Sequence, residues 1–566
     1  MKQSVVKIVA VIMLAGVFSC AHAQSPTYIQ SLDKQNHWVD SVFSKLNRKH
    51  KVSQLFFIRA HTNKGQAYAD SVAKVIKCQQ PGGLVFFQGG PMRQAMLTNQ
   101  YQKLAQIPLL VAMDGEWGLG MRLDSVISYP YQMALGAIRD NTLITEMGRQ
   151  VAYDFKRLGM QMNFAPVMDV NNNPNNPVIN YRSFGDDKYN VAQKAIAYMQ
   201  GMQQGGLLTT AKHFPGHGDT NVDSHFDLPQ LNFTRTRLDT LEEYPFKQAI
   251  AAGISGIMVA HMNIPALDTT QHLPSTLSRP IVTNLLQDTL GFKGLVVSDA
   301  LEMKGVTKYF PAGEADLRAF IAGNDILELS ENSALAIKKI KKAVRKGVVL
   351  EAELDAKVKK VLAAKYWAGL NHYQPADTTH LIADLNRTQS KTLVQQLSNA
   401  AITVLRGDTL LQYLDPTKAT ALVSIGVETP TVYQQELARY FTAGRMFQVS
   451  KGASANQMSA LLTNLKSYEQ IIIGIHDTRL RPQSQLDYTA GLKQFIARLA
   501  AYPNTVVSLF ANPYTLDTLP GIEQSGALLV GYQKDEGMQR AAVGVITKQF
   551  KATGKLPVHI GLTRSL

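Results

Sequence analysis

The sequence predicts a (β/α)8 barrel followed by a smaller α/β sandwich, and three observations lead there. Eight short apolar runs, rich in β-branched and aromatic residues, are spread over the first two thirds of the chain. Helix-patterned stretches separate them, the pattern of βα units around a parallel sheet. A second, shorter series of such runs follows a polar, irregular segment, and 566 residues leave room for both domains.

The eight runs are Gln54 to Ala60, Gly83 to Gln88, Leu109 to Asp114, Met162 to Asp169, Leu208 to His213, Gly256 to His261, Gly294 to Asp299 and Asp325 to Leu329. Most end on a polar or charged residue. In a barrel those C-terminal ends form the active-site face, so Asp114, Asp169, His213, His261 and Asp299 are expected at one mouth. Between the runs, Thr240 and Glu243 read as a capping box ahead of an apolar-periodic stretch that ends before Gly253. A further helix is expected from about 334 to 346, with Leu335, Ile337, Ile340 and Val344 buried and six Lys and Arg residues on the other, solvated face.

The barrel domain is assigned to residues 24–370, a linker to 371–398 and the sandwich to 399–566. Strand candidates in the sandwich are Ala401 to Leu405, Ala421 to Ile425, Ile471 to Ile475, Thr505 to Phe510 and Ala527 to Val530. Residues 1–23 read as a secretory signal: Lys2 and Lys7, an apolar run from Ile8 to Phe18, then Ala21-His22-Ala23. Eleven apolar residues are too few to span a bilayer. Export to the periplasm or envelope is expected, with a lipid anchor at Cys20 as an alternative N-terminus, since Val17-Phe18-Ser19-Cys20 loosely resembles a lipobox.

Composition excludes several classes. With only two cysteines, neither a disulfide framework nor a cysteine zinc site is available. No nucleotide-binding fingerprint and no G-x-S-x-G occurs, so neither nucleotide cofactors nor serine hydrolysis is implied. The net charge of +15 includes Lys2 and Lys7 of the signal, and six further charges sit on one helix. What remains makes no basic stripe for nucleic acid and suits an anionic envelope surface.

The densest polar cluster runs from Lys212 through His213, His217, Asp219 and Thr220 to Asp223, Ser224 and His225, behind the fifth run. Gly216 and Gly218 allow a tight path that folds these side chains over the mouth. Lys212 and His213 suit sugar hydroxyls or a carbonyl. Asp223 can accept from a nitrogen of His225, fixing its tautomer and favouring the charged ring, as a proton donor and acceptor near neutral pH requires. Asp299, ending the seventh run, is placed as a covalent nucleophile would be. Behind the third run, Asp114, Trp117 and Arg122 offer a carboxylate, an aromatic surface and a cation to a sugar ring, while Glu116 reads equally as a buried ion-pair partner. A metallohydrolase using these His and Asp residues and a noncatalytic glycan-binding protein are the rival classes; the spacing matches no zinc signature, and no metal is assigned.

Together these residues resemble glycoside hydrolase family 3 over nearly the whole mature chain. The motif KHFPGHGDT followed by DSH is similar to the β-N-acetylglucosaminidase branch, whereas β-glucosidases of the family take a Glu acid/base from their second domain. The resemblance implies Asp299 as nucleophile, His225 as acid/base and Asp223 as its partner. It also implies Asp114, Arg122, Arg182, Lys212 and His213 as the residues that hold the sugar. An exported, monomeric, cofactor-free, retaining exo-β-N-acetylglucosaminidase is therefore expected, acting on β-linked N-acetylglucosamine glycans such as muropeptides. A family 3 β-glucosidase and an N-acetylglucosaminide phosphorylase are the alternatives within the family.

Overall fold

Eight parallel strands form the first sheet of the computed structural model, which describes residues 27–564. They are β1 (Phe56–Ala60), β2 (Gly83–Phe86), β3 (Leu110–Met113), β4 (Met162–Asn163), β5 (Leu208–Phe214), β6 (Gly256–Val259), β7 (Leu295–Ser298) and β8 (Leu327–Glu328). From β1 to β7 each pairs with its sequence neighbour, and β1 pairs with β8. A parallel bridge from Val297 to Ile326 joins β7 to the residue before β8 and closes the barrel. The expected signal peptide and Cys20 lie outside the described residues.

The strands read as unbroken apolar runs because both their faces are buried. Along the register, Phe57 stands opposite Glu328, Arg59 opposite Val85, Val85 opposite Ala112 and Ala112 opposite Met162. Side chains alternate along a strand, so Phe57, Val85, Ala112 and Met162 fill the barrel interior while Phe86, Val111 and Met113 lie under the helices. The inward alternation continues to Lys212 near the end of β5 and, one step past β3 and β7, to Asp114 and Asp299, which brings all three to the mouth.

The second sheet has six strands: β9 (Thr403–Arg406), β10 (Thr420–Ile425), β11 (Gly444–Val449), β12 (Gln470–His476), β13 (Thr505–Phe510) and β14 (Ala527–Val530). Their order is β11-β10-β12-β13-β14-β9, all parallel except β9, which runs antiparallel to β14. The sequence reading missed β11. It is an edge strand, with Arg445 and Met446 exposed, so it lacks the apolar run of a central strand. Residues 388–398 of the expected linker belong to a helix, Thr388–Ala401, that runs on into the sandwich.

Two local expectations are corrected. Thr240 does not cap the helix Tyr244–Ala251; its hydroxyl donates to the Thr236 carbonyl, and Thr234 accepts from the Arg237 amide one turn earlier. In the basic helix Ser333–Arg345 the buried residues are Ala336, Ile337, Ile340, Ala343 and Val344, while Leu335 is exposed. At about 100° per residue Leu335 falls on the far side of the helix from Ile340, outside the stripe. The domains are tied together at the chain's end, where the Lys555 amide donates to Ala137 O at 2.9 Å and the His559 amide to Asp186 Oδ2 at 2.6 Å.

Candidate active site

The mouth of the barrel holds a chain of ion pairs built on buried Lys212 and Glu116, with Asp114, Arg122 and Arg182 partly buried. Lys212 Nζ reaches Asp114 Oδ1 at 2.7 Å and Glu116 Oε1 at 2.9 Å, while Arg122 Nη2 donates to Asp114 Oδ2 at 2.6 Å. Arg182 grips Glu116 in a two-pronged contact, Nε to Oε2 at 2.9 Å and Nη2 to Oε1 at 2.7 Å. Burial alone would raise both carboxyls, but the neighbouring cations override it: Lys212 and Arg122 hold Asp114 well below the usual range, and Arg182 and Lys212 bring Glu116 down to about 2. Glu116 is thus the buried ion-pair partner, and it fixes Arg182 and Lys212 at the mouth.

Asp169 was expected at the mouth, yet it is fully buried beneath it. Its Oδ1 accepts from the amides of His213 and His217, and its Oδ2 accepts from His213 Nδ1 at 2.8 Å. That bond sets the tautomer of His213 and turns Nε2 toward solvent or substrate. His261 is likewise buried, held by Thr276 Oγ1 at 2.8 Å and by the Ala300 carbonyl, to which its Nε2 donates at 2.9 Å. It stands behind Asp299 and does not line the mouth.

The loop after β5 takes the path its glycines permit. Gly216 has φ 141°, and a Cβ on Gly218 would lie 1.8 Å from the Val170 carbonyl oxygen, so the loop is pressed against the segment after β4. At its far end His225 Nδ1 donates to Asp223 Oδ1 at 2.7 Å, and the His225 amide donates to the same oxygen at 2.9 Å. The Asp223 bond raises the His225 pKa against the opposing effect of burial, and the Asp299 charge raises it further. Asp299 is held low: burial pushes its carboxyl up, but His261, His213, the Ala300 amide and His225 together outweigh that. One face of the mouth therefore carries an anionic carboxylate, with a solvent-facing, paired imidazole beside it.

Aromatic residues wall the site where the second domain meets it. Trp117, Tyr131 and Tyr181 pack together, with ring centroids 4.8 Å apart for Trp117–Tyr131 and 4.9 Å for Tyr131–Tyr181. Tyr131 is clamped by the sandwich: its amide donates to Gln533 Oε1 at 2.8 Å and its hydroxyl to the Leu480 carbonyl at 3.3 Å. Sequence reasoning found Trp117 but missed both tyrosines, which lie in segments with no apolar period. It also missed Glu328, the residue that ends β8.

This arrangement agrees with the similarity of the chain to known proteins. The model of the glycosyl hydrolase family 3 N terminal domain matches residues 48–364. The chain belongs to glycoside hydrolase family 3. Beta-hexosaminidase A of Pseudoalteromonas piscicida is 29% identical over 433 residues, covering 70% of this chain and 69% of that one. A beta-N-acetylglucosaminidase/beta-glucosidase of Cellulomonas fimi is 25% identical over 508 residues, 86% of this chain and 89% of that one. Among solved structures, a family 3 beta-N-acetylglucosaminidase from Paenibacillus sp. str. FPU-7 superposes with a TM-score of 0.75 at 30% identity, over 91% of this chain and 99% of that one. In this family 3 glycoside hydrolase, barrel and sandwich follow one another as in that structure, and the mouth just described lies within the matched domain.

Proposed function

We propose that this enzyme is a retaining exo-β-N-acetylglucosaminidase with Asp299 as nucleophile, His225 as acid/base and Asp223 as the partner of His225. The observation that carries the reading is the 2.7 Å Asp223–His225 contact, on a loop whose Ser224 carbonyl accepts from the Gly305 amide after β7 and whose imidazole feels the Asp299 charge. Asp299, ionised and oriented by β7, attacks the anomeric carbon while protonated His225 delivers its proton to the departing oxygen. Neutral His225 then takes a proton from water, which releases the sugar from Asp299. Asp223 stays ionised throughout, setting the tautomer and supporting the imidazolium. Asp114, Arg122, Arg182, Lys212 and His213 hold the hydroxyls of the terminal sugar, and Trp117 and Tyr131 pack against the leaving group.

The substrate class rests on the beta-hexosaminidase and beta-N-acetylglucosaminidase relatives and on the Asp-x-His loop. Export to the envelope rests on the basic and apolar pattern of residues 1–23, and envelope glycans are the substrates proposed there. The test is a product assay on aryl N-acetylglucosaminides, with and without phosphate, using wild type and Asp299→Asn. Wild type should release free N-acetylglucosamine, and Asp299→Asn should lose at least about 10³-fold in kcat. An unchanged rate in Asp299→Asn, or release of glucose alone from a mixed panel, would refute the reading.

A further inference from the structure

We propose that Glu328 determines specificity at the non-anomeric end of the sugar, hydrogen-bonding the C6 hydroxyl so that the enzyme requires an N-acetylhexosaminide that carries a free hydroxymethyl group.

The register places Glu328 inside the mouth from both sides. It stands opposite Phe57 on β1, on the inward face shared with Arg59, and it lies two residues past Ile326, which bridges Val297 on the inward face of β7. Asp299 is two residues past Val297, so the nucleophile and Glu328 project from neighbouring strands to the same space. The side chain is 3% exposed, and its Oε2 is buried with no hydrogen-bond partner. Both ring nitrogens of His61, on the same flank, are also buried without partners, as is Arg59 Nε, although the Arg59 guanidinium pairs with Glu302 through Nη2. Arg59, His61 and Arg122 surround Phe87, with the two guanidinium carbons 4.1 and 4.8 Å from its ring centroid. By contrast the β3–β5 flank, with Asp114, Glu116, Lys212 and His213, is internally paired. A buried polar atom without a partner is costly, and a cluster of them in a binding mouth points to groups that a ligand supplies.

Stereochemistry says which groups those are, and this step rests on the proposed role of Asp299. A β-glycoside attacked from the side opposite its leaving group lays its α face on the nucleophile. Seen from its β face, the ring of a β-D-pyranoside runs clockwise from C1 to C5. Right-handed βα crossovers make the strands run anticlockwise from β1 to β8 when the barrel is viewed from its mouth. With C1 over Asp299 on β7, C2 to C4 therefore turn past β6 toward β5, which carries Lys212 and His213, and toward Asp114 after β3. C5 and its hydroxymethyl group come round to β1 and β8, onto Glu328. Burial, with the charges of Asp114 and Asp299 adding to it, pushes the Glu328 carboxyl well above the usual range and so favours the neutral acid, which can both donate to and accept from a hydroxyl.

The test compares kcat/KM on a nitrophenyl β-N-acetylglucosaminide and on its 6-deoxy analogue for wild type, Glu328→Gln and Glu328→Leu, with Asp299→Asn as control. A ratio of two substrates is independent of how much of each variant folds. Wild type should prefer the hydroxylated substrate by about 10²-fold, because a site built to bond a hydroxyl leaves its own groups unpaired when that hydroxyl is missing. Glu328→Gln, which keeps a hydrogen-bonding amide, should retain a preference of at least about tenfold, and in Glu328→Leu it should fall to about threefold or less. A wild-type ratio retained in Glu328→Leu overturns the C6 assignment while leaving the proposed function standing. Activity retained in Asp299→Asn overturns both. A loss in Glu328→Gln that grows with leaving-group pKa, with the 6-deoxy ratio unchanged, makes Glu328 a proton donor and also overturns the assignment.

Discussion

Replacing Asp223 by Ala probes the chemical step directly. Asp223 Oδ1 receives both the ring nitrogen and the backbone amide of His225, at 2.7 and 2.9 Å, and the imidazole side chain is otherwise 62% exposed. The substitution frees the ring to rotate and leaves its tautomer unset. A positioned general acid contributes about 10²–10⁴-fold. Because this ring is largely solvated, the loss for a poor leaving group should lie at the low end, about 10²-fold, equivalent to about 2.7 kcal/mol of transition-state stabilisation. A dinitrophenyl glycoside departs with little protonation and should slow by about threefold or less. The pH profile supplies an independent readout. In the proposed mechanism the first step needs protonated His225, so kcat/KM should fall as pH rises through its pKa; Asp223 raises that pKa, and its removal should move the alkaline limb to lower pH. The acidic limb reports Asp299, whose carboxyl is held low, and should stay where it is. Initial rates for aryl glycosides of graded leaving-group pKa, measured across a pH series, settle the matter. Equal slowing of good and poor leaving groups, or an unmoved alkaline limb, would refute the dyad.

Glu116→Gln leaves Arg182 and Lys212 buried without their shared anion and should cost about 3 kcal/mol in denaturant unfolding. Because the Glu116 pKa is lowered from 4.5 to about 2, its stabilisation is complete above about pH 4.5 and lost as pH falls toward 2. The variant should therefore show a shallower loss of stability across that window, and an unchanged acid transition would count against the ion-pair chain. Gly218→Ala places a methyl 1.8 Å from the Val170 carbonyl oxygen, so loop or strand must shift. It should lower stability by about 2 kcal/mol and kcat by at least about tenfold through displacement of His225; a variant with wild-type kcat would show that the loop does not position the acid.

Residues whose role follows from strand periodicity were legible in the sequence. Asp114, Lys212, His213 and Asp299 end apolar runs, and a parallel barrel brings such ends to one mouth wherever the loops go. The Asp223–His225 contact was legible for another reason: two residues apart in an irregular segment, they meet locally. Asp169 and His261 ended runs as well, yet they lie below the mouth and hold His213 and the Ala300 carbonyl. Whether a strand-end side chain lines the mouth or supports it depends on where its strand stops, and β4 stops at Asn163, six residues before Asp169. The strand β11 and the Tyr131–Tyr181 wall left no periodic signal, because one is a solvated edge and the other is built from loops.

The sequence by itself determined the barrel and sandwich, the family, and the pairing of Asp223 with His225, because apolar periodicity and short-range contacts are written locally. Only the tertiary structure decided what each charge does at the mouth. Glu116 became the anchor of Arg182 and Lys212, His213 took its tautomer from Asp169, and Glu328 emerged as an unpaired acid beside Asp299. Those assignments depend on distances between side chains tens to hundreds of residues apart and on burial, which sets whether a carboxyl is charged. Neither quantity exists until the eight strands close.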